Sequence, residues 1–201
     1  MNKVFNPEKN TWSSLAKRPL YSLDSVKGIV DEIFTNVKLK GDEALVDYTN
    51  KFDKVNLNDL LVSDKKINNY ENDIDKDLKE SINIAFNNIY KFHKNQAFNS
   101  KKTETTPGVF CWQEKRAIEN VGLYIPGGTA PLFSSVLMLA IPAMIANCKN
   151  IVLCSPPSDK GELHPAILYC AKLCKVNKVI CVGGAQSIAA MSIGTESVPK
   201  V

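Results

Sequence analysis

Two glycine pairs follow apolar runs in the second half of the chain. Gly127-Gly128 lies in YIPGGTA (124–130), and Gly183-Gly184 lies in CVGGAQS (181–187). Each pair sits between a run typical of a strand and the start of a helix. Backbone N–H groups at such a turn can hold a pyrophosphate, whereas glycines after a strand can also serve only to turn the chain tightly. Neither string is the G-x-G-x-x-G turn of dinucleotide-binding domains, so both interpretations stay open.

Thiols and imidazoles are the other side chains that could carry chemistry. The six cysteines contain no C-x-x-C pair, and we expect free, mostly buried thiols in a reducing cytosol: Cys111, Cys148, Cys154, Cys170, Cys174 and Cys181. The two histidines are His93 and His164. His93 ends a helical apolar stripe and is expected to be a packed or capping residue. A complete zinc site built from this chain alone is therefore not expected.

Strands and helices alternate around the glycine pairs in residues 121–201. Strands are predicted at Val121–Ile125, Ile151–Cys154 and Val179–Val182. Helices are predicted from Pro131 and again from Pro142, over His164–Cys174, and over Gln186–Met191, since proline is tolerated in a first turn. Continuous apolar strands separated by helices predict an α/β fold with a Rossmann-like parallel sheet and helices on both faces. Both glycine pairs should then lie at the carboxyl edge of the sheet, where such folds bind ligands.

Residues 1–120 form a more highly charged, helix-rich part that precedes the sheet. Apolar spacing predicts four helices: Val26–Val37 ending at Gly41, one capped by Asp42 that buries Ala44, Leu45, Tyr48 and Phe52, one capped by Ser63 with Ile67 and Tyr70, and Asp75–Lys94. Gln96–Pro107 is polar and unpatterned and predicts a loop. Val109–Trp112 and Lys115–Ile118 predict a hairpin that leads into the second part.

The composition argues against two classes of function. A net charge of +4 and only two arginines, Arg18 and Arg116, do not favour nucleic-acid binding. No stretch reaches the roughly 18 apolar residues of a membrane span. The start of the chain has no apolar segment typical of a signal peptide, so we expect a cytoplasmic protein without membrane association.

Four longer strings are distinctive: NVKLKGDEALVDYTNKFD (36–53), PGVFCWQ (107–113), VGLYIPGGTAPLFSSVLMLAIPAMIANCKNIVLCSPP (121–157) and VGGAQSIAAMSIGTESVPKV (182–201). Together they resemble the histidinol dehydrogenase family, whose layout is similar to that of the aldehyde dehydrogenase superfamily. The resemblance runs from about residue 12 to the last residue. It implies a helix-rich first part with a hairpin over residues 1–120 and a Rossmann-like NAD-binding domain over residues 121–201.

The resemblance also implies a reaction and its cofactors. Members of the family oxidise L-histidinol through L-histidinal to L-histidine with NAD, a zinc ion holds the substrate, and a Glu-His pair moves the protons. The NAD-contacting tyrosine and glutamine of the family fall on Tyr124 and Gln186, where an aromatic ring and an amide could orient a ribose or adenosine. Aldehyde dehydrogenases use a thiol nucleophile. Cys154, however, closes a core strand, where a buried thiol is unreactive, and we expect no covalent catalysis by it.

The chain departs from the family in its length. The family's zinc ligands, Glu-His pair, substrate contacts and a third NAD contact all fall beyond residue 201, so we expect no catalytic and no metal-binding residue in this chain and no activity of the chain alone. It would be a truncated product, a fragment or one piece of a split enzyme, and the full-length form would be a homodimer. Two alternatives stay open: an inactive remnant that binds nucleotide or a partner chain, and a diverged oxidoreductase similar to aldehyde dehydrogenases.

Overall fold

Three parallel strands organise the half of the chain that carries the glycine pairs. The computed structural model of the protein describes residues 3–18, 23–69, 73–96, 100–128 and 130–201. The sheet order is β3-β4-β5, with β3 at Asn120–Tyr124, β4 at Asn150–Ser155 and β5 at Lys178–Cys181. Both strand pairs are parallel, and the strands lie where the sequence predicts them.

Helices cover both faces of this sheet, as the apolar strands predict. The helices are α1 (Trp12–Leu15), α2 (Asp24–Lys40), α3 (Asp42–Asp53), α4 (Asp64–Asn69), α5 (Lys76–Lys94), α6 (Phe133–Ile145), α7 (Pro165–Leu173) and α8 (Gly184–Ile193). Leu123 and Leu153 belong to a buried cluster with α5, α6 and α7. Val152 and Ile180 belong to a second buried cluster with α2, α3 and α8. The period-two alternation of a strand therefore divides the core into two layers.

The segment between β3 and β4 forms one helix, and the prediction of separate helices from Pro131 and Pro142 is wrong. Helix α6 runs from Phe133 to Ile145 with Pro142 inside it. Proline lacks the N–H that would bond the carbonyl one turn earlier. That carbonyl belongs to Met138, an exposed residue, so water can satisfy it. The helix can therefore continue through the proline for its last turn.

A hairpin is present, but the prediction names the wrong partner for Val109–Trp112. Strand β2 at Val109–Cys111 pairs antiparallel with β1 at Thr103–Thr106, which lies in the segment expected to be a loop. Pro107 and Gly108 form the turn, and Gly108 has a φ of 84°. Proline followed by a glycine with positive φ is the signature of a type II turn. Residues Lys115–Ile118 form no strand.

All four helices predicted for the amino-terminal part are present, with two corrections. Phe52 is 48% exposed rather than buried, although Ala44, Leu45 and Tyr48 are buried as predicted. Asp42 is the first residue of α3 and not its cap, because Gly41 occupies the capping position. Ser63 Oγ does accept from the Lys66 N–H at 3.3 Å. Tyr70 lies outside the described residues.

Two further features complete the fold. The Leu60–Val62 segment bonds along the outer edge of β5, where Val62 N–H donates to the Val179 carbonyl at 2.9 Å and Cys181 N–H donates to the Leu60 carbonyl at 2.8 Å. That side of the sheet is therefore not left as a bare edge. In the described ranges, none of the helices has both the length and the apolar character needed to cross a membrane.

Candidate functional site

Tyr124 and Gln186 both lie at the carboxyl edge of the sheet. Tyr124 is the last residue of β3, and Gln186 lies in the first turn of α8, directly after β5. The phenol oxygen of Tyr124 accepts a hydrogen bond from the Gly184 N–H at 3.2 Å. The two residues that the sequence singles out therefore belong to adjoining parts of one edge, as the parallel sheet predicts.

The amide of Gln186 is buried without a hydrogen-bond partner. The residue is 1% exposed, and neither its Oε1 nor its Nε2 has a partner in the described part of the chain. The side chain folds over Gly184, which has a φ of 62° and where an added Cβ would collide with Oε1. A buried polar group left unpaired costs about 1–3 kcal/mol. Native proteins keep few such groups, and those they keep call for an explanation.

The first glycine of each pair is explained by packing against Pro156. A Cβ at Gly127 would stand 2.6 Å from the Cγ of Pro156, and one at Gly183 would stand 3.1 Å from its Cα and still closer to its Cβ. A Cβ at Gly128, in contrast, would meet no atom within 4 Å. The pair after β3 therefore combines one glycine required by packing with one whose backbone faces open space.

The path of the chain changes from one face of the sheet to the other after β5. The crossover helices α6 and α7 lie on one face of the sheet, and α8 lies on the other. After α8 the chain returns to β3: Val201 N–H donates to the Met191 carbonyl at 2.9 Å, and a Cβ at Gly122 would stand 2.8 Å from Val201 Cγ2. In doubly wound sheets, ligands bind where successive connections leave on opposite faces. Tyr124 is joined to this point by the hydrogen bond from Gly184, the first residue of α8.

The cysteine and histidine side chains make contacts that are typical of structural residues. All six cysteines are free, and burial raises the pKa of Cys154 from 9.0 to about 12, which favours the neutral thiol. His164 caps α7 by accepting from the Ala166 N–H at 3.2 Å, and His93 Nδ1 lies 2.8 Å from Gln96 Oε1. Within the described ranges, no group of three or more His, Cys, Asp or Glu side chains could hold a metal ion.

Comparison with known proteins agrees with this layout. The profile of the histidinol dehydrogenase family matches residues 16–201. The chain belongs to the histidinol dehydrogenase family. Its fold is that of the family as well: the crystal structure of histidinol dehydrogenase from Elizabethkingia anophelis matches 98% of this chain with a TM-score of 0.90 and 46% identity.

Relatives in the family show how much of an enzyme this chain spans. Histidinol dehydrogenase of Bacteroides thetaiotaomicron is 51% identical over 201 residues, which cover the whole chain but 47% of the relative. That of Escherichia coli K12 is 50% identical over 188 residues, which cover 93% of the chain and 42% of the relative. The Elizabethkingia chain is covered to 45%. The chain therefore spans less than half the length of these members of the family.

The sequence singles out Tyr124 and Gln186 but not Pro156. The residue is visible in the string CSPP, which follows the middle strand. A proline after a strand is typical of many loops and gives no sign of which backbone it will contact. The two clashes at Gly127 and Gly183 become visible only when the three strand ends are placed side by side. The role of the family's cofactor residues at Tyr124 and Gln186 stays a prediction.

Proposed function

We propose that this chain is the cofactor-binding part of a histidinol dehydrogenase, which oxidises L-histidinol through L-histidinal to L-histidine. The observation that carries the proposal is the buried, unpartnered amide of Gln186 at the carboxyl edge of the sheet. A group that is costly to bury is retained when a ligand completes its hydrogen bonds. Membership of the family supplies the class of reaction.

The residues at this edge fit NAD. An amide offers one donor group and one acceptor, which suit the hydroxyls of a ribose. The bare backbone of Gly128 allows a phosphate to approach closely, and the phenol of Tyr124 lies beside the second turn. NAD, when bound, supplies the hydride acceptor for each of the two oxidations. The protein's part at this edge is to bind and orient the nucleotide.

Zinc does not fit the described residues, because they contain no cluster of ligands for it. We assign the zinc ligands, the substrate contacts and the proton-moving pair to the part of the relatives that this chain does not span. We therefore expect no oxidation of L-histidinol by the chain alone, because a positioned base and a metal site are both required. Assembly as a homodimer and a reducing, cytoplasmic location belong to the same proposal, and six free cysteines support the location.

Calorimetric titration of NAD into the purified 201-residue chain tests the cofactor site. The variant Gln186→Leu removes the amide, and Gln113→Leu makes the same change at an exposed position. We expect the unchanged chain and Gln113→Leu to bind NAD and Gln186→Leu to lose at least about 10-fold in affinity. Equal binding by Gln186→Leu would contradict the site, and no binding by the unchanged chain would contradict the function.

Turnover assays separate the enzyme from a nucleotide- or partner-binding module, the alternative left open by the sequence. The chain is mixed with the carboxyl-terminal part of the Bacteroides thetaiotaomicron relative, and oxidation of L-histidinol is followed with NAD and zinc present. Restored oxidation supports a dehydrogenase part. NAD binding that never leads to turnover in the mixture supports the binding module. Turnover by the chain alone would place catalytic residues within it.

A further inference from the structure

We propose that Pro156 is a positioning residue that sets the spacing between the two glycine turns of the cofactor edge. The inference rests on the proposed NAD site. Pro156 follows β4, the middle strand of the order β3-β4-β5. It therefore lies between the turn that carries Gly127 and the turn that carries Gly183. The three nearest atoms to a Cβ built at either glycine all belong to Pro156.

The contact is too close for any other residue at the two glycines. Real Cβ atoms essentially never approach a heavy atom within 3.0 Å, yet a Cβ at Gly127 would stand 2.6 Å from Pro156 Cγ. At Gly183 the nearest atom is Pro156 Cβ, and the backbone Cα follows at 3.1 Å. Both turns therefore rest directly on one side chain. A proline ring cannot move aside by changing rotamer, because it is closed onto its own backbone nitrogen.

This spacing determines how the cofactor-facing groups meet. The hydrogen bond from Gly184 N–H to the Tyr124 phenol joins the end of β3 to the start of α8 across the position of Pro156. Gly183 stands one residue before the donor of that bond. If the ring were removed, the two turns could approach each other or separate by the size of the missing atoms. The Tyr124 bond and the placement of Gln186 would then lose their fixed geometry.

Two alanine substitutions test the role of the ring. Pro156→Ala removes Cγ and Cδ, and Pro157→Ala is the matched control because it also replaces a proline of the same loop. Hydrogen exchange of the segment 183–187, followed by mass spectrometry, reports the Gly184 amide without any nucleotide. We expect Pro156→Ala to speed this exchange about 10-fold and Pro157→Ala to leave it unchanged. Equal exchange in both variants would overturn the proposal, whether or not the chain binds NAD.

A rescue experiment separates positioning from general stability. Gly127→Ala collides with the ring, but in the Pro156→Ala background its methyl would lie 3.6 Å from the remaining Cβ, an ordinary contact. Gly183→Ala collides with Pro156 Cβ, which alanine keeps, so Pro156→Ala should not rescue it. We expect NAD affinity to fall about 10-fold in Pro156→Ala and further in Gly127→Ala, and to recover in the Gly127→Ala/Pro156→Ala double variant to the level of Pro156→Ala.

The outcomes distinguish the two proposals. Unchanged NAD affinity in Pro156→Ala, with NAD bound by the unchanged chain, would overturn the positioning role and leave the proposed function intact. Absence of NAD binding by the unchanged chain would overturn the proposed function, and the exchange measurement would still decide whether Pro156 holds the turns. Rescue of Gly183→Ala as complete as that of Gly127→Ala would contradict the geometry given for the ring.

Discussion

The phenol oxygen of Tyr124 accepts a hydrogen bond from the backbone N–H of Gly184 at 3.2 Å. The donor is the first residue of α8, and the first N–H groups of a helix have no partner within it. Tyr124 thus satisfies one of the groups at the amino terminus of α8 from a different strand. The bond ties the ends of β3 and β5 together, although β4 lies between them in the sheet.

Tyr124→Phe should destabilise the chain by about 1 kcal/mol, because the Gly184 N–H loses its acceptor while the ring is kept. NAD affinity should fall as well, since the hydroxyl holds the Gly184 turn of the proposed site. Urea unfolding and calorimetric titration measure the two effects. Tyr90→Phe is the control, because no hydrogen bond of the Tyr90 hydroxyl is seen in the described ranges. If Tyr124→Phe matched the control in both measurements, the bond would have no role.

Gln186→Leu should stabilise the nucleotide-free chain by about 1 kcal/mol while it weakens NAD binding. The substitution replaces two unpartnered buried polar atoms with an apolar group of similar size. A gain in stability with a loss of binding is typical of residues kept for function. The urea midpoint and the NAD titration should therefore change in opposite directions. A lower midpoint would show that the amide has a partner in solution and would remove the main support for the site.

The sheet and the edge that carries both glycine pairs could be predicted because apolar runs and glycine pairs are local signals. Tyr124 and Gln186 follow from the family resemblance combined with the rule that parallel strands end at one edge. The β1–β2 hairpin was missed because Thr103–Thr106 contains no apolar residue, although Pro107-Gly108 marks a turn. The continuation of α6 through Pro142 depends on the exposure of Met138, whose carbonyl loses its helical partner, and the local sequence does not reveal that exposure.

The contacts of Pro156 with the two glycines could not be predicted, because the three residues lie far apart in the sequence. Gly127 precedes Pro156 and Gly183 follows it, each by more than one secondary-structure element. The contact between Asp42 and Ser197 is also long-range. The sequence around Asp42 reveals only its local neighbours, and these predict a helix cap. Spacing along the chain identifies helix and strand faces but not the partner that a particular polar group finds.

Stability should fall as the pH rises from about 9 towards 12, because four thiols are buried. Burial raises the pKa values of Cys154, Cys170, Cys174 and Cys181 from 9.0 to about 12. Between these values the unfolded chain releases thiol protons and the folded chain keeps them, so the stability present below pH 9 is lost as the pH increases. Urea midpoints at pH 8 and pH 10.5 measure the loss.

An alanine substitution distinguishes the thiols from other groups that titrate in alkali. Cys154→Ala should reduce the slope of stability against pH, because it removes one of the four buried thiols. Cys154→Ala should also leave NAD binding intact, since a neutral buried thiol performs no chemistry at neutral pH. A slope in Cys154→Ala that is identical to that of the unchanged chain would mean that this buried thiol does not account for the loss.

Asp42 connects the start of α3 to the segment after α8, and its removal should destabilise the whole fold. Its Oδ2 accepts from the Ser197 N–H at 3.0 Å and from the Ser197 hydroxyl, while its own N–H donates to Glu196 Oε2 at 3.0 Å. Hydrogen bonds to a charged group contribute about 1.5–3 kcal/mol. Asp42→Ala should therefore lower the free energy of unfolding by about 2 kcal/mol.

Asp47→Ala is the matched control on the same helix. Within the described ranges, the Asp47 carboxylate forms an exposed ion pair with Lys40 at 3.9 Å, and such pairs contribute between about 0 and 1 kcal/mol. Asp42→Ala and Glu196→Ala should be non-additive when combined, because both bonds hold the same pair of segments. Urea unfolding of the single and double variants measures the coupling. Additive losses, or an Asp42→Ala effect no larger than that of Asp47→Ala, would show that the two bonds act independently or contribute little.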